Sequence, residues 1–146
     1  MDKIDEAILE VLKENGRASA SEISRRVKLS VPAVAERIRK LEQSEVIRQY
    51  TVKINRDKIE KRLLAFIFVN IDKTENIELF RKAIIQYKDV LECHHVAGNY
   101  DYLLKVALED TRALELFLSK KLKKIPGVSG SNTVIALGTL KEEINF

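Results

Sequence analysis

Cysteine is nearly absent: Cys93 is the only one in 146 residues. No disulfide can close within the chain, which fits a reducing cytoplasm. Long apolar runs are missing too. The longest strongly apolar stretch, LLAFIFV at Leu63–Val69, is far too short to cross a membrane as a helix. The opening MDKIDEAILEVLKENG alternates charge with apolar residues where a signal peptide would carry an uncharged core. There is no phosphate-binding glycine loop, no nucleophile elbow and no legible histidine–carboxylate arrangement, so no enzyme activity is expected. Histidine is scarce as well, with only His94 and His95, directly after Cys93. Consecutive side chains on a strand point to opposite faces, so these three cannot close around one ion, and no metal is expected. The expected setting is the cytoplasm, without membrane, metal or cofactor.

What is present is charge in a block. With 45% hydrophobic and 33% charged residues, the chain reads as globular and soluble. Its net charge of +4 is unevenly spread. Residues 1–15 hold five acids and two bases, and residues 16–58 hold eleven bases and five acids. Residues 59–146 are nearly balanced, with thirteen bases and twelve acids. A localised basic block on a small domain points toward a polyanionic partner.

The two halves carry different periods. Ile4, Ile8, Val11 and Leu12 form a helical stripe, and Gly16 follows where a left-handed residue would end the helix. SASE at Ser19–Glu22 is a capping-box pattern, with Ala20, Ile23 and Val27 on the buried side. Ser30 is the next N-cap, and Pro32 lies in a first turn, where a missing N–H costs nothing. Val34, Ile38 and Leu41 then face inward. A rotation of about 100° per residue leaves Pro32, Glu36, Arg39 and Gln43 facing outward, flanked by Ala33 and Lys40. VIRQYTVKIN, residues 46–55, is rich in β-branched residues and reads as extended chain.

Beyond it come a strand at RLLAFIFVNI, a helix with Ile77, Phe80, Ile84 and Tyr87 on one face, and two apolar runs around Gly98-Asn99. A second helix with Leu114, Phe117, Leu118 and Leu122 inward and a last strand at VSGSNTVIALGTL complete a β-α-β-β-α-β order, the ferredoxin-like split pattern. Two helices cover only one face of such a sheet. Yet the first strand is apolar on both: Leu63, Ala65, Ile67 and Val69 on one, Leu64, Phe66 and Phe68 on the other. A second copy of the sheet is the simplest cover, so a homodimer through the second half is expected.

Three short helices with a tight link between the second and third read as a helix-turn-helix, the third helix lying in the major groove of double-stranded DNA. Ser30, Pro32, Ala33 and Glu36 are then placed for base or methyl contacts. Arg39 and Lys40 are placed for phosphates or guanine, and Arg25, Arg26 and Lys28 for the flanking backbone. On pattern alone a three-helix bundle with a solvated charged face stays open. So does a turn-only role for Gly98-Asn99, and KKLKK at Lys120–Lys124 reads as a solvated helix end. An amino-acid sensor acting through protein partners is the alternative from a different class.

LSVPAVAERIRKLEQSEVIRQYTVKIN together with ECHHVAGNYDYLLKV closely resembles the Lrp/AsnC (leucine-responsive regulatory protein / asparagine regulator, feast/famine) family of transcription regulators. The resemblance spans essentially the whole chain. It implies an α+β chain: an N-terminal winged helix-turn-helix plus a C-terminal ferredoxin-like βαββαβ domain of the type called RAM, for ligand binding and oligomerisation. The expected organisation is 1–50 for DNA binding, 51–61 as linker strand and 62–146 as the RAM domain. It also implies dimers assembling further, often to octamers of four dimers, and control of amino-acid metabolism or transport through an amino-acid effector. Gly98 and Asp101 match the family's G-x-x-D motif and Tyr102 its following aromatic, which places effector binding at Gly98, Asn99, Tyr100 and Asp101. A glycine lets backbone amides approach a ligand carboxylate, and an aspartate pairs with an α-ammonium. Two departures stand out: Asn99 where many members have an acid, and Glu45 where the usual glycine follows the recognition helix.

Overall fold

Every helix of the amino-terminal half starts on a side chain that answers its orphan amides. The computed structural model describes residues 1–145. Met1–Ile54 and Asn55–Glu142 form the bodies of two compact units. In the first, α1 (Lys3–Glu14) begins at Asp2, whose Oδ1 accepts the amides of Ile4 and Asp5 at 2.9 Å. The Asp5 carboxylate returns the bond to the Asp2 amide at 3.0 Å. Helix α2 (Ala20–Val27) starts with the expected Ser19/Glu22 capping box. Helix α3 (Val31–Gln43) starts at Ser30, with Pro32 in its first turn. Ile8, Val11, Ile23, Val34 and Leu41 form the core, ringed by Ile4, Leu12, Val27 and Ile38. Burying each of these aliphatic side chains is worth about 1.5–3 kcal/mol.

Two chain reversals differ from what glycine placement suggests. Gly16 does not take a left-handed conformation. Helix α1 ends instead at Asn15, which is extended and whose Oδ1 accepts the Arg17 amide at 3.0 Å. At the end of α3 the left-handed residue is Glu45, at φ 56°. The Glu45 amide bonds to the Glu42 carbonyl at 3.0 Å and the Ile47 amide to that of Leu41 at 3.1 Å. A Cβ in this region costs about 1 kcal/mol. Glu45→Gly should therefore raise stability by about 0.5–1 kcal/mol, read as a higher melting temperature; an unchanged or lower value refutes it.

The β-branched segment 46–55 forms no strand, and among the described residues none precedes Leu63. Val52 and Ile54 are largely exposed, so these two positions lack the half-buried surface that strand propensity reflects. Among the described residues the wing that the family resemblance implies thus has no paired strand.

The second unit follows a short 3₁₀ turn, Arg56–Ile59, with β1 (Leu63–Ile71), α4 (Asn76–Ile84), β2 (Val90–His95), β3 (Tyr102–Leu108), α5 (Thr111–Leu116) and β4 (Val128–Ile135). The sheet order is β2-β3-β1-β4, antiparallel throughout. On one face Ala65, Ile67 and Val69 of β1 and Leu104 and Val106 of β3 pack with Phe80, Ile84, Leu114, Phe117 and Leu122 into a single core. Phe117 and Leu122 are five residues apart, one more than an α-helical repeat supplies. The chain meets this with a π-helical turn, Phe117–Lys121, then a 3₁₀ turn, Leu122–Lys124. At Gly127, with φ +91°, a Cβ would collide with the Asn76 side chain, which suits glycine to the turn into β4.

The other face is the doubly apolar one. Phe66 and Phe68 lie beside Lys105 and Leu103 of β3 and Val134 and Asn132 of β4. They are only half-buried, and Val134 is exposed. Residues 138–142 join Leu64 and Phe66 of β1 and Lys105 of β3 in lining a shallow recess of about 330 Å³. Lys105 bonds to Glu92 at 3.1 Å and Glu142 at 3.3 Å, and Arg56 reaches Glu142 at 2.8 Å.

Candidate functional site

Part of the basic block of the sequence falls on α2, α3 and the turn between them, where Arg25, Arg26, Lys28, Arg39 and Lys40 are exposed. Three residues, Lys28 to Ser30, join the helices. Lys28 turns the chain at φ 57°, and the Leu29 amide closes onto the Ser24 carbonyl at 3.2 Å. Arg25 and Arg26 sit in the last turn of α2. Ser30 is the N-cap of α3, accepting the Ala33 amide at 3.4 Å. Pro32, Glu36, Arg39 and Lys40 are exposed along α3, with Ala33 half-buried beneath them.

Several of these charges already have partners. Arg39 donates from Nε to Glu36 Oε2 at 2.8 Å and from Nη2 to Oε1 at 2.7 Å, a fork on one carboxylate. Lys40 Nζ is 3.8 Å from the same Oε1. The bonds from Arg39 hold the Glu36 carboxyl below its ordinary value, and Glu36 raises the Arg39 guanidinium in return. Arg26 pairs with Glu14 of α1 at 2.6 Å. Exposed pairs of this kind contribute little to stability, but they set where a guanidinium points.

One cation lay outside the expected set. Arg37 turns away from the outer face and reaches the start of α1, bonding Asp2 Oδ2 at 2.9 Å and Asp5 Oδ1 at 2.6 Å. The Asp2 and Asp5 carboxyls are held low first by backbone amides and then by this guanidinium. Arg37 therefore braces α3 against α1. The only sequence signal was the acidic excess in residues 1–15, opposite the basic block.

In the second unit the connection between β2 and β3 brings Gly98, Asn99, Tyr100 and Asp101 into one short loop. Gly98 has φ +149°, and a Cβ there would meet open space. The Tyr100 ring lies 5.2 Å from Phe68, and its hydroxyl accepts from Asn132 Nδ2 at 3.3 Å. Asp101 closes the loop: its amide bonds the Val69 carbonyl at 3.0 Å, its carbonyl accepts the Val96 amide at 2.9 Å, and its Oδ2 accepts the Ile71 amide at 2.7 Å. The carboxylate retains acceptor capacity on Oδ1.

The Cys-His-His run divides between faces. Cys93 packs against the helix-side core, where burial pushes its thiol up. His95 stacks on Tyr102 with ring centres 5.0 Å apart, while His94 lies 3.1 Å from Glu92. Among the described residues no group of three His, Cys, Asp or Glu side chains is placed to hold a metal ion. Within KKLKK, Leu122 is buried and Lys121 turns to Asp89 at 2.9 Å, which Lys61 also meets at 3.0 Å. Burial works to raise the Asp89 carboxyl, but the two lysines outweigh it and hold it low. No helix among the described residues is long and apolar enough to cross a membrane.

Residues 64–146 match the Lrp/AsnC ligand binding domain, and residues 1–42 match the AsnC-type helix-turn-helix domain. The leucine-responsive regulatory proteins of Klebsiella pneumoniae and Escherichia coli K12 are 34% identical over 144 residues, covering 97% of this chain and 88% of theirs. A Neisseria meningitidis transcriptional regulator solved with L-methionine superposes with a TM-score of 0.96 at 32% identity, covering 100% of this chain and 96% of that one. A feast or famine regulatory protein from M. tuberculosis, also solved with L-methionine, gives 0.92 at 30% identity, covering 99% and 97%.

Proposed function

The chain belongs to the Lrp/AsnC family of feast/famine transcriptional regulators, which are not enzymes, and from that premise we propose how its two units divide the work. Residues 1–50 bind double-stranded DNA through the outer face of α3, residues 51–61 link, and residues 62–146 dimerise and bind an amino-acid effector. The dimers assemble further, as octamers of four dimers, and the protein acts in the cytoplasm on genes of amino-acid metabolism or transport. The observation carrying the DNA assignment is the exposed row of Pro32, Glu36, Arg39 and Lys40 on α3, with Arg25 and Lys28 exposed beside it. Phosphate neutralisation by such a face gives salt-dependent affinity, and base-edge contacts give discrimination.

The effector assignment rests on the Gly98–Asp101 loop. Gly98 leaves its backbone unobstructed, Asp101 presents a carboxylate already oriented by the Ile71 amide, and the Tyr100 ring packs at a tilt of 39° on Phe68. The two relatives solved with L-methionine make that amino acid the first to test.

Fluorescence anisotropy on DNA from upstream of its own gene, titrated with salt and with L-methionine and other amino acids, tests both assignments together. The wild type should lose affinity steeply as salt rises, and one amino acid should shift it. Asp101→Asn keeps an acceptor for the Ile71 amide but removes the charge for an α-ammonium. It should fold normally, bind DNA as the wild type does, and lose at least tenfold in effector sensitivity, about the 1.5–3 kcal/mol of a charged hydrogen bond. An intact effector response in Asp101→Asn would remove the loop from the effector site.

A further inference from the structure

The fork between Arg39 and Glu36 has a consequence for which DNA is read. The two bonds, at 2.7 and 2.8 Å, use the Arg39 Nε hydrogen and one Nη2 hydrogen. A guanidinium has five N–H donors, so three remain, and each carboxylate oxygen has a further lone pair. A row of donors and a row of acceptors therefore lie one hydrogen-bond length apart on the exposed side of α3.

The major-groove edge of a G·C pair carries the complementary row. Guanine offers two adjacent acceptors, N7 and O6, and the cytosine N4 amine stands next to O6 as a donor. O6 and N4 are themselves joined by a hydrogen bond, so they too lie one hydrogen-bond length apart. An A·T pair does not match. Its amine stands between the two acceptors, and the thymine methyl projects beside them. The order of arginine and glutamate along the helix also distinguishes G·C from C·G. A carboxylate aimed into DNA repels phosphates unless an amine receives it, so Glu36 works against sites lacking that amine.

We propose that Glu36 and Arg39 together read one G·C base pair in each half-site, Arg39 on the guanine N7 and O6, Glu36 on the cytosine N4 amine. Glu36 is also a positioning residue, since its carboxylate fixes the plane of the Arg39 guanidinium. This inference rests on the assignment of α3 as the DNA-reading helix.

The test uses the full-length protein. A binding site is selected from randomised duplexes with the wild type, and affinities are measured for all four base pairs at each position, for wild type, Glu36→Ala and Glu36→Gln. The wild type should prefer G·C at one position per half-site by roughly 5- to 150-fold. Glu36→Ala should flatten that preference at that position alone. It should also steepen the dependence of log affinity on log salt by roughly 0.9, because the released Arg39 takes a phosphate. Glu36→Gln keeps an acceptor oxygen for N4 without the charge and should retain part of the cytosine preference. Because Glu36 is on the exposed side of the helix, circular dichroism should show folded variants; were Glu36→Ala unfolded, the Glu36→Gln base preferences decide. Wild-type preferences kept at every position in both variants, or an even loss across all positions, would overturn the proposal. If the wild type binds no duplex even at low salt, the DNA assignment itself falls.

Discussion

Placing aspartate at both Phe66 and Phe68 should leave the protein monomeric at concentrations where the wild type is assembled. Both rings lie on the sheet face opposite the second unit's own helices, in register with Leu103 and Lys105 on one side and Val134 and Asn132 on the other. The helix-side core does not contain them. In the dimer proposed above this face packs on its copy. Each phenylalanine, already half-buried in the protomer, then contributes roughly half of the about 1.5–3 kcal/mol of full burial, and an aspartate in its place would be desolvated without a partner. A twofold dimer holds four of these rings, so loss of the burial alone, about 3–6 kcal/mol, weakens association by roughly two to four orders of magnitude. Sedimentation velocity reads the outcome directly, and circular dichroism should show a folded chain. Unchanged sedimentation in the double variant would mean the assembly uses another surface.

Phe80→Ala should have the largest effect on stability. The Phe80 side chain is fully buried, with its ring centre 4.7 Å from that of Tyr102. Tyr102 in turn accepts a hydrogen bond from Arg81 Nε at 2.8 Å and stacks on His95. Removing the ring leaves a cavity under the start of β3 and costs about 3–5 kcal/mol, the range for Phe→Ala in cores. Against the roughly 5–15 kcal/mol that holds a typical domain, that is a large share. Tyr102 directly follows Asp101, so the effector loop should loosen with it and the amino-acid response weaken. Urea denaturation of the variant checks the first effect, and a loss under about 1 kcal/mol would show that the site collapses around the missing ring.

The parts of this fold legible in the sequence are those set by neighbours along the chain. Ser19 with Glu22 and Ser30 with Pro32 mark the starts of α2 and α3 through amides three residues away. The strand-helix order of the second unit follows from local periodicity in the same way. The parts that were not legible depend on residues far apart. Arg37 meets Asp2 and Asp5 across more than thirty residues, and Asp89 joins Lys61 to Lys121. Residues 46–55 show the reverse failure: their composition favours a strand, but among the described residues no strand includes them. At the candidate sites, the outer row of α3 could be read from helical rotation alone, whereas the fork binding Arg39 to Glu36 needed side-chain conformations. The Gly98–Asp101 assignment came from family resemblance, and the anchoring of Asp101 by Ile71 was visible only in three dimensions.

The two outer strands of the sheet, β2 and β4, each pair irregularly with their single neighbour. The β2–β3 register shifts between Val90 and Glu92, and the β1–β4 register shifts at Asn70 and Ile71. A strand edge offers unpaired amides and carbonyls to any passing chain, and such breaks in register twist it away from a flat, extendable line. Growth by adding strand to strand is thereby discouraged at both ends, while the half-buried Phe66 and Phe68 and exposed Val134 between them stay available. Copies that meet face to face around a twofold axis use up this surface, and any further assembly of dimers into a closed ring also ends at a fixed size. Concentrated solutions of this protein should therefore hold discrete particles of fixed size, with no tendency to fibres.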